Sequence, residues 1–141
     1  MLLVDANVLL HAVNEGASEH DLARAWLAGA LEGAESIGLA WMALLAFLRL
    51  GTHSSVFPRP MSVEFAAGIV EAWLVAPASI VVEPTRRHLP ILRGLLAQTG
   101  SGGNLVADAH LAALALEHDA TIVSFDRDFG RFDGLRWRLP A

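Results

Sequence analysis

Short apolar runs alternate along this chain with longer stretches in which apolar residues recur every three or four positions. That alternation predicts strands interleaved with helices. Residues 1–4 read as a short buried strand and residues 6–12 as a helical turn or two. Ser18-Glu19-His20-Asp21 predicts a capping-box start for an amphipathic helix through about Leu31. Residues 36–40 predict a second strand and 41–52 a core helix, so the longest apolar run, 37–48, is a strand turning into a helix. After a loop at 53–60, Ser62 caps a helix to about Val75, and 79–82 predicts a third strand. Thr85 opens a helical stretch toward Gln98; Pro90 lies too deep in it for a first-turn proline and predicts a late start or a kink. Beyond the loop at 100–103, Asn104 caps a helix over 105–118, residues 121–125 predict a strand, and 135–139 a last, edge strand. The order predicts an α/β fold around a parallel sheet. With no internal repeat and no long linker, residues 1–141 predict one domain.

Within this pattern, carboxylates fall at places that need a reason. Asp5 sits between two apolar runs, where an unpaired charge would be costly to bury. A helix cap is one explanation, a functional ligand another. Asp108 has Leu111 and Ala112 three and four residues on, which puts it on an apolar helix face or in that helix's first turn. The helix dipole alone would favour an acid there. In Ser124-Phe125-Asp126-Arg127-Asp128-Phe129 a buried strand delivers two carboxylates to its C-terminal end, the edge at which open α/β sheets bind ligands. An Asp-rich turn would look the same locally. Taken together, three segments place acids at strand ends or on the apolar side of a helix. If parallel strands bring them together, they cannot all be ionised without cations between them.

The composition narrows the chemistry. There is no Cys, hence no disulfide framework and no thiolate site. All ten basic residues are Arg, which excludes a catalytic or P-loop Lys. Oxygen donors without Cys or a compact His pair point to a hard ion, Mg²⁺ or Mn²⁺, rather than zinc. Such an ion suits phosphodiester hydrolysis, by lowering the pKa of a bound water and neutralising charge on phosphate oxygens. The net charge of −5 argues against nucleic acid unless the acids converge and hold cations. His53, His88 and His110 lack metal-ligand spacing and read as surface or internally satisfied side chains. Trp26, Trp41 and Trp73 fall on apolar helix faces and read as core. No apolar run reaches membrane-spanning length, and the start lacks a basic signal-peptide region, which predicts a cytoplasmic protein with no membrane partner. The hydrophobic fraction of 54% is high for a soluble chain and predicts a surface covered by a second copy or another protein.

In this order and spacing, Val4-Asp5-Ala6-Asn7-Val8-Leu9, Phe47-Leu48-Arg49, Asp108-Ala109 and the Ser124 to Phe129 segment resemble the PIN domain, and most closely the VapC toxins of toxin–antitoxin pairs. The resemblance spans almost the whole chain. It implies a three-layer α/β/α sandwich with a central, mainly parallel sheet. It also implies a metal-dependent ribonuclease, homodimeric and silenced by a cognate antitoxin, with RNA (tRNA among the candidates) as substrate. Asp5, Asp108 and Asp126 match family acids that ligate Mg²⁺ or Mn²⁺, Asp128 a frequent fourth acid, and Ser124 a frequent hydroxyl at the strand end. Asn7 and Asn104 match site-lining amides. One departure stands out: the family usually carries Glu where this chain has Ala46.

Two functional readings follow. The first is a ribonuclease in which Asp5, Asp108 and Asp126 hold metal and orient water, Asp128 supports them, and Arg49 or Arg59 steers phosphates. The second is a PIN-like module, weakened in turnover by Ala46, that binds RNA or an antitoxin. A phospho-receiver needs a Lys, and an aspartyl phosphatase needs Asp-x-Asp at the first strand, where residue 7 is Asn.

Overall fold

β1 (Leu2–Val4) lies at the centre of a five-stranded sheet, flanked by β2 (Ile37–Leu39) on one side and β4 (Thr121–Val123) on the other. β3 (Ser79–Val81) and β5 (Trp137–Arg138) form the edges, giving the order β3-β2-β1-β4-β5 with every pair parallel. The helices are α1 (Ala6–Val13), α2 (His20–Leu31), α3 (Trp41–Gly51), α4 (Val63–Val75), α5 (His88–Thr99) and α6 (Leu105–Glu117). A 3-10 turn, Arg127–Arg131, follows β4. This computed structural model describes residues 1–100, 102–103 and 105–141. The expected cap at Asn104 therefore lies outside the described residues.

The two-residue period of a strand decides which helices cover which face. Leu2 and Val4 of β1 join Ile37, Leu39 and Val123 in one cluster with α1 to α4. Leu3 points the other way, into a cluster with Ile122, Ala109, Ala112, Ala113 and Phe129. The result is the predicted three-layer sandwich. Leu3, Val4, Val8, Leu39, Phe47, Ile122 and Val123 are all fully buried. Each contributes roughly 1.5–3 kcal/mol relative to exposure, which lets strands of only two or three residues hold a sheet.

Topology makes the functional crevice. From β1 the chain runs outward to β2 and β3, then crosses back to β4 and β5 on the far side. The crossover direction reverses between β1 and β4, and ligands in open α/β sheets bind beyond the carboxyl ends of the strands at that switch. Asp5 and Ser124 each follow one of those two strands directly.

Local expectations met different fates. Pro90 lies in the first turn of α5 because the helix starts late, at His88, with Pro90 third. Ser62 caps α4, accepting the Phe65 N–H at 3.1 Å. The capping box at Ser18 does not form: α2 starts at His20, and Glu19 makes no side-chain cap. Turns closed by Ala17 N–H to Asn14 O and His20 N–H to Ala17 O carry the chain past Ser18, while the His20 ring sits against the carbonyl of His11 at 2.8 Å. Trp73 is core, as expected, and Trp26 half-buried. Trp41 is 44% exposed, contrary to expectation, because α3 is apolar on its outer face as well, with Met42 and Leu45 also exposed.

Gly38 occupies a point where a side chain has no room. A Cβ there would lie 2.8 Å from Val82 Cγ2 and 3.2 Å from Leu3 Cδ1. Val82 is stiff and buried, so Gly38→Ala is expected to cost about 1–3 kcal/mol, as overpacking does. Urea unfolding checks this: the midpoint should fall with the slope unchanged, and an unmoved midpoint would contradict the packing described.

Candidate active site

Asp5 ends β1 and begins α1, and both explanations of it hold at once. Its Oδ1 accepts the N–H of Ala6 at 2.7 Å as a helix cap. Its Oδ2 accepts the hydroxyl of Ser124 at 2.7 Å. The backbone N–H of Asp5 donates to Val123 O at 3.0 Å, which ties the residue to the end of β4.

Ser124 is fully buried and joins the two strand ends. Having given its proton to Asp5, its oxygen accepts from Asn7 Nδ2 at 3.0 Å and from the Asp126 N–H at 2.9 Å. Asn7 in turn accepts the Phe125 N–H on Oδ1 at 3.2 Å, so opposite partners set both ends of its amide. Asp126 uses Oδ1 to accept the Asp128 N–H at 2.8 Å, opening the 3-10 turn. The expected residues Asp5, Asn7, Ser124 and Asp126 thus form one continuous network.

Asp108, in the first turn of α6, meets them through electrostatics. Burial raises its pKa above the ordinary carboxylate range, and the charges of Asp126, Asp5 and Asp128 raise it further, against the opposing pull of Arg131. Burial also raises Asp5; the Ser124 and Ala6 hydrogen bonds resist the rise and Asp126 adds to it. A cavity of about 110 Å³ lies between Asp5 and Asp108, lined also by Met42, Ala43, Ala46 and Leu111. Ala46, where a Glu was expected, therefore faces the two acids with only a methyl group.

The donor set is all oxygen and mutually repelling, which fits a hard divalent cation. As the side chains stand, no group of three or more His, Asp or Glu among the described residues is arranged to hold an ion. Protein donors hold the carboxylates of Asp5 and Asp126 instead.

Asp128 has a different partner from the other acids. Its Oδ2 pairs with Arg131 at 2.7 Å, and its carbonyl accepts Arg131 Nε–H at 2.9 Å. Arg131 is thus the cation that acts on Asp108, rather than Arg49 or Arg59. Arg49 is exposed near the end of α3. Arg59 lines a separate cavity of about 330 Å³ with Val13, Phe57 and Phe65. The i, i+3 spacing of Asp128 and Arg131 was a signal in the sequence that could have found this pair. Asn104 lies outside the described residues.

A doubly covered parallel sheet with acids at its topological switch defines a class of α/β site proteins, and comparison with known proteins specifies it. The PIN domain family model matches residues 2–135. The chain is 55% identical to ribonuclease VapC37 of Mycobacterium tuberculosis over 140 residues, covering 99% of this chain and 97% of that protein. It is 39% identical to ribonuclease VapC33 of the same species, covering 99% and 98%. Among solved structures, VapBC2 of Rickettsia felis bound to a promoter DNA fragment superposes with a TM-score of 0.70 at 19% identity, covering 98% and 97%. Mycobacterium tuberculosis VapC20, a toxin that cleaves the sarcin-ricin loop, gives a TM-score of 0.70 at 17% identity, covering 96% and 99%. The chain belongs to the PIN-domain family, in its VapC toxin branch.

The raised carboxyls make a pH dependence with a definite sign. In metal-free protein, the folded chain keeps protons on Asp5 and Asp108 at pH values where the unfolded chain, with a carboxyl near 3.8, has released them. The contribution of these groups is therefore fully present below the unfolded value and is lost as pH rises through the folded values. Asp108→Asn is expected to flatten that loss, read from urea midpoints in chelator from about pH 4 upward. An identical pH profile in both proteins would contradict the shared electrostatic field.

Proposed function

We propose that this chain is the toxin of a toxin–antitoxin pair, a metal-dependent endoribonuclease that hydrolyses RNA phosphodiester bonds. The observation that carries this reading is the convergence of Asp5, Asp108 and Asp126 at the switch between β1 and β4, each within the field of another. The VapC ribonucleases it resembles over nearly their full length support it.

In this reading Asp5, Asp108 and Asp126 hold Mg²⁺ or Mn²⁺. When bound, the ion supplies activation of water and neutralisation of phosphate charge. Ser124 and Asn7 keep Asp5 and the end of β4 in register, and free carboxylate oxygens orient the attacking water. Arg131, anchored on Asp128, presents a guanidinium to a phosphate of the substrate. Asp128 then contributes through Arg131 as well as through its own charge.

An antitoxin segment and a second copy are the protein partners. The exposed Val63, Phe65 and Val75 of α4 offer apolar surface for one, and the cavity between α1 and the loop before α4 lies beside Phe65. The whole chain acts as one domain, in the cytoplasm where RNA is met. Among the described residues no helix is long and apolar enough to cross a membrane.

The test is cleavage of total RNA with Mn²⁺ by the wild type, Asp5→Asn and Ala46→Glu. Wild type should cleave weakly, Asp5→Asn should not, and Ala46→Glu should gain on the scale of about 10–100-fold by placing a carboxylate in the cavity of Asp5 and Asp108. If wild type behaves as Asp5→Asn while both bind RNA, the chain is a binding module. If Ala46→Glu slows a fast wild type, another group already fills that role. Independently of turnover, Mn²⁺ should raise the melting temperature by linkage, and Asp108→Asn should remove most of the rise. An equal rise in both proteins would remove the shared ion site.

A further inference from the structure

One buried charge lies outside the acid crevice. The side chain of Glu117, at the end of α6, has 0% exposure. Its Oε1 accepts the Thr85 N–H at 2.7 Å and the Thr85 hydroxyl at 2.6 Å, while Oε2 meets Nδ1 of His88. Burial opposes its charge, but the bonds from Thr85 and His88 outweigh burial and hold the carboxyl below its ordinary range. Glu117 is thus an ionised, acceptor-only group.

The hydrogen bonds continue outward from it. His88 Nε2 lies 2.9 Å from His110 Nδ1. Burial and the neighbouring His88 lower the pKa of His110. Glu117 accepts the Nδ1 proton of His88, and His88 Nε2 and His110 Nδ1 share one proton between them. Nε2 of His110 has no protein partner among the described residues. A carboxylate orienting one ring, and through it the next, is a device for presenting a defined nitrogen.

His110 lines a cavity of about 240 Å³ together with Trp41, Met42, Val82, Glu83 and Pro84. Drug-sized ligands occupy pockets of about 300 Å³ and more, so this one suits a single planar ring. It adjoins the acids: Met42 lines both cavities, and α6 carries Asp108 to one and His110 to the other. Trp41, which lines the cavity and is exposed, brings an aromatic surface to it.

We propose that this cavity is a nucleobase subsite for an RNA residue beside the scissile phosphate, with Trp41 as stacking surface and His110, positioned by Glu117 and His88, reading the base edge. The proposal rests on the ribonuclease reading above. His110 Nε2 is free to bond the base edge, and Glu83 also lines the cavity. The subsite therefore discriminates cytosine from uracil, rings that differ in carrying an amino donor or a carbonyl acceptor at the same carbon.

Two measurements test it. Labelled oligocytidine and oligouridine are titrated by fluorescence anisotropy with Ca²⁺ in place of Mn²⁺, and RNA ends produced with Mn²⁺ are mapped for the bases flanking the cut. Wild type should prefer one of the two oligonucleotides, His110→Ala should shrink the affinity ratio by about fivefold, and Glu117→Gln should shrink it in the same direction. Trp41→Ala should weaken both oligonucleotides by about tenfold and leave the ratio unchanged. The ratio is taken on one preparation, so partial unfolding of a variant does not mimic the effect. Equal affinities in wild type, or a ratio and a cleavage preference unmoved by His110→Ala, overturn the subsite. Loss of a dimer in Trp41→Ala with no change in RNA affinity assigns this face to a protein contact and overturns it as well. A binding preference that depends on His110 in a chain with no Mn²⁺-dependent cleavage supports the subsite and removes the nuclease reading.

Discussion

Repulsion among carboxylates that the fold forces together is the constraint on which the rest of this molecule depends. Asp5 and Asp108 are raised by burial and by their neighbours' charges, and a fold without a use for that arrangement would do better with neutral side chains there. What holds them in place is the Ser124 hydroxyl, which donates to Asp5 and accepts from Asn7 and the Asp126 backbone. Two segments, the β1–α1 junction and the end of β4, are thereby joined at one buried oxygen. The parallel sheet brings the ends of β1 and β4 side by side, the buried oxygen fixes their separation, and α6 sets the third acid against them.

The same constraint gives the surrounding residues their roles. Arg131 moderates the negative field at Asp108 while remaining tied to Asp128, so it stays beside the crevice. Ala46 leaves space where a further carboxylate would have added to the repulsion. Glu117 is a buried charge of the opposite kind: it is satisfied by hydrogen bonds, below its ordinary pKa, and tethers the segment before α5 to the end of α6. Burial and mutual repulsion hold Asp5 and Asp108 above the ordinary pKa, while hydrogen bonds hold Glu117 below it.

Much of this was legible in the sequence because period and order are local signals. The strand and helix sequence, the switch from β2 into α3, and the acids at strand ends all follow from spacing. The contact between Asp5 and Ser124 does not, since 119 residues separate them and only the sheet brings them together. The link of His88 to Glu117 and His110 is hidden for the same reason. Trp41 was misread because α3 is apolar on its outward face too, so periodicity could not say which side faces the core. Ser18 was misread because a capping box is a local preference, and turns before α2 overrode it. Ala46 shows the opposite case: its departure from the family pattern was visible in the sequence, and the structure added that it borders the cavity of Asp5 and Asp108.

The central claim is that Asp5, Asp108 and Asp126 share a divalent cation. Anomalous diffraction from crystals grown with Mn²⁺ tests it most directly. The account predicts an anomalous peak between these three carboxylates, with Asp126 released from its single bond to the Asp128 N–H or Asp108 rotated inward. A peak elsewhere on the molecule, or saturating Mn²⁺ with no peak at the ends of β1 and β4, would contradict it.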